Sequence, residues 1–200
     1  MTDKNVSIMN IGSMGYLPQV FKKIENEKKL NIVYLGGSIT MGCNATKTEL
    51  RYVDRSAKWW QTNFPDAEIS YFNAGIGATT SQFGVARVQE HVLDKQPDLV
   101  FVEFSVNDSS SPLFMETYES LVRRLLKAES VKAVVLINNL FYDTGTNAQG
   151  IHNAIGLHYD LPIVSVRNYI FPEIQLGNVC LADYTADMLH PTDLGHKMIA

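Results

Sequence analysis

An alternation of two hydrophobic periods is what most restricts the fold of this chain. Five short strand-like segments, at residues 31–35, 68–73, 99–104, 133–137 and 162–166, are separated by stretches whose apolar residues recur at helical spacing. The core of a segment such as Leu99-Val-Phe-Val-Glu-Phe104 is nearly continuous in apolar residues, the pattern of a strand covered on both faces. Strands that alternate with helices join through right-handed crossovers, which set helices on both sides of a parallel sheet. The expectation is an α/β fold: three layers, doubly wound, flavodoxin-like, with about five parallel strands and helices on both faces.

The intervening helices have their own signatures. Leu17, Val20, Phe21 and Ile24 stand at i, i+3, i+4 and i+7, with Pro18 near the start, where a helix tolerates it. Residues 53–63 read as a helix with Trp59 and Trp60 on its apolar side, ending before Pro65. Thr79 or Thr80 is placed to cap a helix carrying Phe83, Val85, Val88 and Val92. Helices are also expected over 113–129 and 148–159, and Pro191 is expected to open a last one over 192–200. Residues 168–189 read as mostly irregular with room for a short helix, and residues 1–13 as a lead-in without strong pattern. At 200 residues and 46% hydrophobic content, one domain over 1–200 is expected, its last helix either short or cut at Ala200.

Charge and composition exclude several partners. A net charge of −4 leaves no electrostatic footprint for nucleic acid or an anionic membrane surface. No apolar run approaches the roughly 18 residues of a membrane span. The start, Met1-Thr-Asp-Lys-Asn-Val6, lacks a signal-peptide pattern, so the expectation is a soluble, cytoplasmic chain, export staying open if a leader was removed. Cys43 and Cys180 read as free thiols. The pairs His152/His158 and His190/His196 are six apart, not the i, i+4 of a helical zinc pair, so neither metal nor cofactor is expected. Nothing in the sequence specifies an oligomeric state.

Open parallel sheets bind ligands beyond the carboxyl ends of their strands. Those ends carry Gly36, Gly37, Ser38 and Thr40; Asn73, Gly75, Gly77 and Ala78; Asn107 and Asp108; Asn138 and Asn139; and, in the stretch after the fifth strand, Asp183, Asp187 and His190. Alone, Gly36-Gly37-Ser38 suits a nucleophile, a phosphate loop or a plain turn. Asp187-Met-Leu-His190-Pro191 narrows the choice. On one short loop the carboxylate can reach Nδ1–H, fix the tautomer and leave Nε2 free to take a proton from a serine. Asp183 and Asp193 are fallback acids, with Asp193 more simply capping the last helix. Asp108 reads as structural, His196 as a surface or packing residue, and His91, His152 and His158 as exposed. Trp59-Trp60 and Tyr71-Phe72 read as core, Arg51 and Tyr52 as a solvated loop, and Glu103 as a buried charge in need of a partner.

The blocks Gly36-Gly37-Ser38-Ile39-Thr40, Asn73-Ala-Gly-Ile-Gly77, Val106-Asn107-Asp108 and Asp187-x-x-His190-Pro191 resemble, in order and spacing, those of the SGNH (GDSL-type) hydrolases, and particularly bacterial esterase-like members. The resemblance implies a serine esterase in which Ser38 attacks, His190 is the base and Asp187 orients it. It also implies an oxyanion hole made by the Ser38 N–H, an N–H of Gly77 or Ala78, and the Asn107 amide. The implied substrate is a small carboxylic ester, including O-acetyl groups on carbohydrates. A thioesterase or lysophospholipase would keep the same triad, and a flavodoxin-like phosphate-binding module is the alternative that is no enzyme. Two positions depart from the family pattern: Gly37 stands where aspartate is usual, and Ala78 where many members have glycine.

Overall fold

The computed structural model describes residues 4–200; residues 1–3 of the expected lead-in lie outside the described residues. The sheet has six strands: β1 (Ile8–Asn10), β2 (Lys29–Gly36), β3 (Glu68–Gly75), β4 (Leu99–Glu103), β5 (Ala133–Asn138) and β6 (Ile163–Ser165). They lie in the order β1-β6-β5-β4-β2-β3. From β2 to β6 all pairings are parallel, and these five are the strands expected from sequence. Their order, first strand inside second and the rest following on the other side, is that of a flavodoxin-like sheet. The added strand, β1, runs antiparallel to β6 at the sheet's edge. It was not legible because it is three residues long and Ile8 is half exposed, so no burial pattern marks it.

Along each strand, successive side chains enter two different cores. Ile32 and Tyr34 of β2 pack into one with Val135 and Ile137 of β5, while Val33 and Leu35 pack into the other with Val134 and Leu136. The first core is closed by α1 (Leu17–Glu27), α3 (Tyr52–Asn63), α7 (Val166–Gln175) and partly buried residues of α9 (Asp193–Ile199). The second is closed by α4 (Ser81–His91), α5 (Pro112–Leu126) and α6 (Gln149–His158). Two one-turn helices, α2 (Ser38–Met41) and α8 (Leu181–Tyr184), complete the set. Burial on both faces is why the central strands read as continuous apolar runs.

Several expectations are corrected. Residues 166–175 form a helix, α7, despite Pro172 in its interior; Ser165 caps it by accepting from the Asn168 N–H, and Val166 and Ile170 bury its inner face. Pro191 does not open α9 but bridges Thr185, and Thr192 is the cap, accepting from the Gly195 N–H. Tyr71 and Phe72 are exposed, because β3 is the other edge of the sheet; Lys95 lies 5.0 Å over the Phe72 ring. Of the tryptophan pair, Trp60 is core and Trp59 is half exposed. No helix among the described residues is long and apolar enough to cross a membrane.

Candidate active site

The nucleophile turn is built by close backbone approach. β2 stops at Gly36, Gly37 caps the short helix α2, and Ser38 is its first residue. The N–H of a first helical residue has no intrahelical partner, so that of Ser38 is open. The chain then turns at Gly42, with φ 103°. The end of β3 comes so near to α2 that a Cβ at Gly75 would collide with the Met41 backbone. Asn73 completes the join, donating from Nδ2 to the Thr40 carbonyl at 2.8 Å and accepting from the Gly75 N–H. Thr40 in turn shares a hydrogen bond with the buried Tyr52 hydroxyl. Asn73, Thr40 and Tyr52 therefore hold the turn, and Tyr52 is core instead of a solvated loop residue.

His190 reaches Ser38 from the far end of the chain. Its Nε2 is 2.9 Å from the Ser38 Oγ, and its Nδ1 is 2.6 Å from Asp187 Oδ2. A carboxylate only accepts, so Nδ1 carries the proton and Nε2 is left to accept from the serine. The turn between them is held firmly. Asp187 Oδ1 accepts from the backbone N–H groups of Leu189 and His190, Met188 takes a left-handed φ of 67°, and the Met188 carbonyl accepts from the Tyr142 N–H. The Thr185 hydroxyl donates to the His190 carbonyl at the neck of the loop. Partial burial works against the Asp187 carboxylate, but the hydrogen bonds from His190 and the two backbone amides outweigh it and hold the group down at about 2.

The two departures from the expected family pattern both have a geometric counterpart. A Cβ at Gly37 would overlap Asn107 Oδ1, so glycine here is what lets the Asn107 side chain lie against the nucleophile turn. That oxygen is buried without a hydrogen-bond partner, while Nδ2 is neither bonded nor sealed in. Ala78 has φ 57°, the left-handed conformation that glycine would adopt without strain. Neither the Gly77 N–H nor the Ala78 N–H makes a backbone hydrogen bond, and a Cβ at Gly77 would stand 3.9 Å from the Ser38 Cβ. Open donors on Ser38, the Gly77-Ala78 turn and Asn107 thus come from the ends of β2, β3 and β4.

Other strand-end residues go elsewhere. Asn138 donates to Asn153, and Asn139 is buried, its N–H donating to the Ser105 hydroxyl. Asp193 accepts from Thr46, tying α9 to the loop after α2, and its cap role passes to Thr192. The Asp183 carbonyl accepts from the Thr192 hydroxyl. Arg51 pairs with Asp54. His196 is fully buried, donating from Nε2 to the Cys43 carbonyl and accepting at Nδ1 from the Tyr52 N–H. Glu103, fully buried at the end of β4, has the Ser105 hydroxyl as partner, and desolvation pushes its carboxyl up to about 7. His152, expected on the surface, is fully buried against Asp108. The signal was present: Ala148, His152, Ile155 and Gly156 share one helical face, and all four are buried. Arg87 was also missed; its guanidinium donates to the Ala74 and Gly36 carbonyls beneath the strand ends.

Residues 34–198 match the sequence model of the GDSL-like lipase/acylhydrolase family. The chain belongs to that family. It is 25% identical to an acetylxylan esterase of Geobacillus stearothermophilus, over 89% of this chain and 93% of that protein. A two-domain esterase active on acetylated mannans, solved with mannopentaose, superposes with a TM-score of 0.97 at 45% identity. The match takes in all of this chain but 54% of that one, so the chain spans about half the length of the two-domain enzyme. An α/β hydrolase from the metagenome of Lake Arreo, Spain, shares the fold at 21% identity and a TM-score of 0.71, over 86% of this chain and 91% of that one.

Proposed function

We propose that this family member is a serine esterase that removes small acyl groups, with O-acetyl groups on carbohydrates as its substrate class, through an acyl-enzyme on Ser38. The observation that carries the reading is the unbroken line from Ser38 Oγ to His190 Nε2 at 2.9 Å and from Nδ1 to Asp187 at 2.6 Å. His190 takes the Ser38 proton as Oγ attacks the ester carbonyl. The oxyanion is met by the N–H of Ser38, an N–H of the Gly77-Ala78 turn and the Asn107 amide, each worth roughly 3 kcal/mol in the transition state. As the C–O bond breaks, His190 gives its proton to the leaving alcohol. Water, deprotonated by the same imidazole, then attacks the acyl-enzyme, and the acid leaves as Ser38 regains its proton. Asp187 keeps the tautomer and stabilises the imidazolium.

Two lines support the acetyl-carbohydrate class. The relatives at 25% and 45% identity are esterases of acetylxylan and of acetylated mannans. Met41 of the nucleophile turn and Met188 of the His190 turn are 42% and 40% exposed, so the site lies at the protein surface, as a polymeric alcohol requires. One sheet and its two helical layers serve this one site, which supports reading the chain as a single SGNH-type domain. A phosphate cradle would not call for the Ser38 hydroxyl to be held by an imidazole and a carboxylate behind it.

The test is fluorophosphonate labelling followed by mapping of the modified residue, together with acetate release from p-nitrophenyl acetate and from acetylated manno- and xylo-oligosaccharides. Labelling at Ser38 and acetate release from the oligosaccharides are expected. No label on folded protein removes the esterase reading. Preference for a long-chain acyl ester or an acyl thioester would keep the triad and move the substrate class to a lysophospholipase or thioesterase.

A further inference from the structure

The chain contains a second Asp–His pair that the reaction does not use. Asp108 follows Asn107 directly in the loop after β4, and His152 comes from α6. His152 Nε2 lies 3.1 Å from Asp108 Oδ2, and both side chains are sealed from solvent. The carboxylate can only accept, so Nε2 carries the proton and the buried Nδ1 is left without a partner. Tyr118 of α5 stacks on the imidazole, with ring centroids 3.6 Å apart and planes within 7°. This pair cannot act on substrate; no solvent path reaches it.

Its connections run to the oxyanion donors. Asp108 Oδ1 accepts from the N–H of Ser81, the first residue of α4, at 2.9 Å. Ser81 lies three residues after Ala78, and Asp108 one residue after Asn107. One carboxylate therefore ties the loop carrying the Asn107 amide to the turn carrying the Gly77 and Ala78 amides. His152 fixes that carboxylate from the opposite side, and α6 is itself held to the same loop by the Ala148 N–H donating to the Ser105 carbonyl at 2.7 Å. Without the imidazole, one carboxylate oxygen would be buried and unpartnered, and the loop would relax toward water.

We infer that Asp108 and His152 are positioning residues that set the spacing between two arms of the oxyanion hole. The inference rests on the esterase reading of Ser38. A displacement of about 1 Å between donor and oxyanion is enough to cost on the order of 10²-fold.

The experiment is steady-state kinetics on p-nitrophenyl acetate with the full chain, wild type and Ser38→Ala run alongside. His152→Phe keeps the stack on Tyr118 and removes the donor; His152→Gln restores an N–H of similar reach. His152→Phe is expected to lower kcat at least roughly 10-fold with KM unchanged, and His152→Gln to recover to within about 3-fold of wild type. The double variant Asp108→Leu/His152→Phe removes both members of the pair at once, so no charge is stranded, and only the Ser81 N–H loses its acceptor. It is expected to fold and to be at least as slow as His152→Phe. Wild-type kcat in either folded phenylalanine variant overturns the inference while leaving the esterase reading intact. A wild type without Ser38-dependent turnover takes down both.

Discussion

Replacing Gly37 with alanine is a test in which activity should fall further than stability. The new Cβ would enter the space of Asn107 Oδ1, with Asn107 Cγ also only 3.1 Å away. The overlap is about 1 Å inside van der Waals contact, so one partner must move by that distance. Asn107 is the one that can, because the obstacle is the end of a side chain and its Oδ1 has no hydrogen bond to lose. The backbone adds a cost of its own, since Gly37 has φ −89° and ψ −147°, outside the regions that a residue with a Cβ prefers. Alanine also loses less chain entropy on folding, a gain of about 0.4–1 kcal/mol that offsets part of the cost. Stability should therefore fall by about 1–2 kcal/mol, which leaves a domain of ordinary stability folded. Activity should not be spared. A donor displaced by about 1 Å from a developing oxyanion costs on the order of 10²-fold, about 2.8 kcal/mol of transition-state stabilisation, and its complete loss costs up to about 10³-fold. The measurement is kcat and KM on p-nitrophenyl acetate beside a thermal melt. Because both changes act through one amide, Gly37→Ala on top of Asn107→Ala should add little. A folded Gly37→Ala protein with kcat within about 3-fold of wild type, or full additivity with Asn107→Ala, would refute the reasoning.

Three further outcomes are expected. Ser38→Ala and His190→Ala should each remove at least roughly 10³-fold of ester turnover, and the double variant should be little worse, because the two act as a unit; strictly additive losses would contradict the shared role. Ala78→Gly should relieve the left-handed backbone at φ 57°, worth about 1–2 kcal/mol, against about 0.4–1 kcal/mol of added unfolded-chain entropy, so its melting temperature should hold or rise slightly with turnover unchanged. Glu103→Gln should stabilise the protein most at neutral pH and above. Burial raises the folded carboxyl from 4.5 to about 7, so between those values the unfolded chain binds fewer protons than the folded one and stability falls as pH rises. Melts of the two proteins should converge near pH 4 and separate toward pH 7; parallel curves would sink the assignment.

Much of this molecule was written in local pattern. The five parallel strands were legible because burial on both faces leaves continuous apolar runs, and their observed order is the flavodoxin-like one expected of a doubly wound sheet. What escaped had no local mark or a misleading one. β1 is a three-residue edge strand, defined only by β6 beside it. Residues 168–175 read as irregular chain, where burial of Val166 and Ile170 against the sheet holds a helix that runs through Pro172. Tyr71 and Phe72 look like core residues, and only their place on an edge strand exposes them.

The same division runs through the site. Sequence alone determined the Asp187-x-x-His190 turn, since a carboxylate and an imidazole three residues apart on a short loop can bond without help from the rest of the chain. It also put Ser38 and Asn107 at carboxyl ends of strands, where parallel sheets collect their ligands. Only the tertiary structure decided that His190 meets a serine 152 residues away at 2.9 Å, that Gly37 makes room for Asn107, and that Asp108 finds His152 44 residues on. Those pairings depend on the order of strands and on which helix crosses over which strand end. Spacing along the chain encodes neighbours within one element; proximity between elements is fixed only when their buried faces have packed.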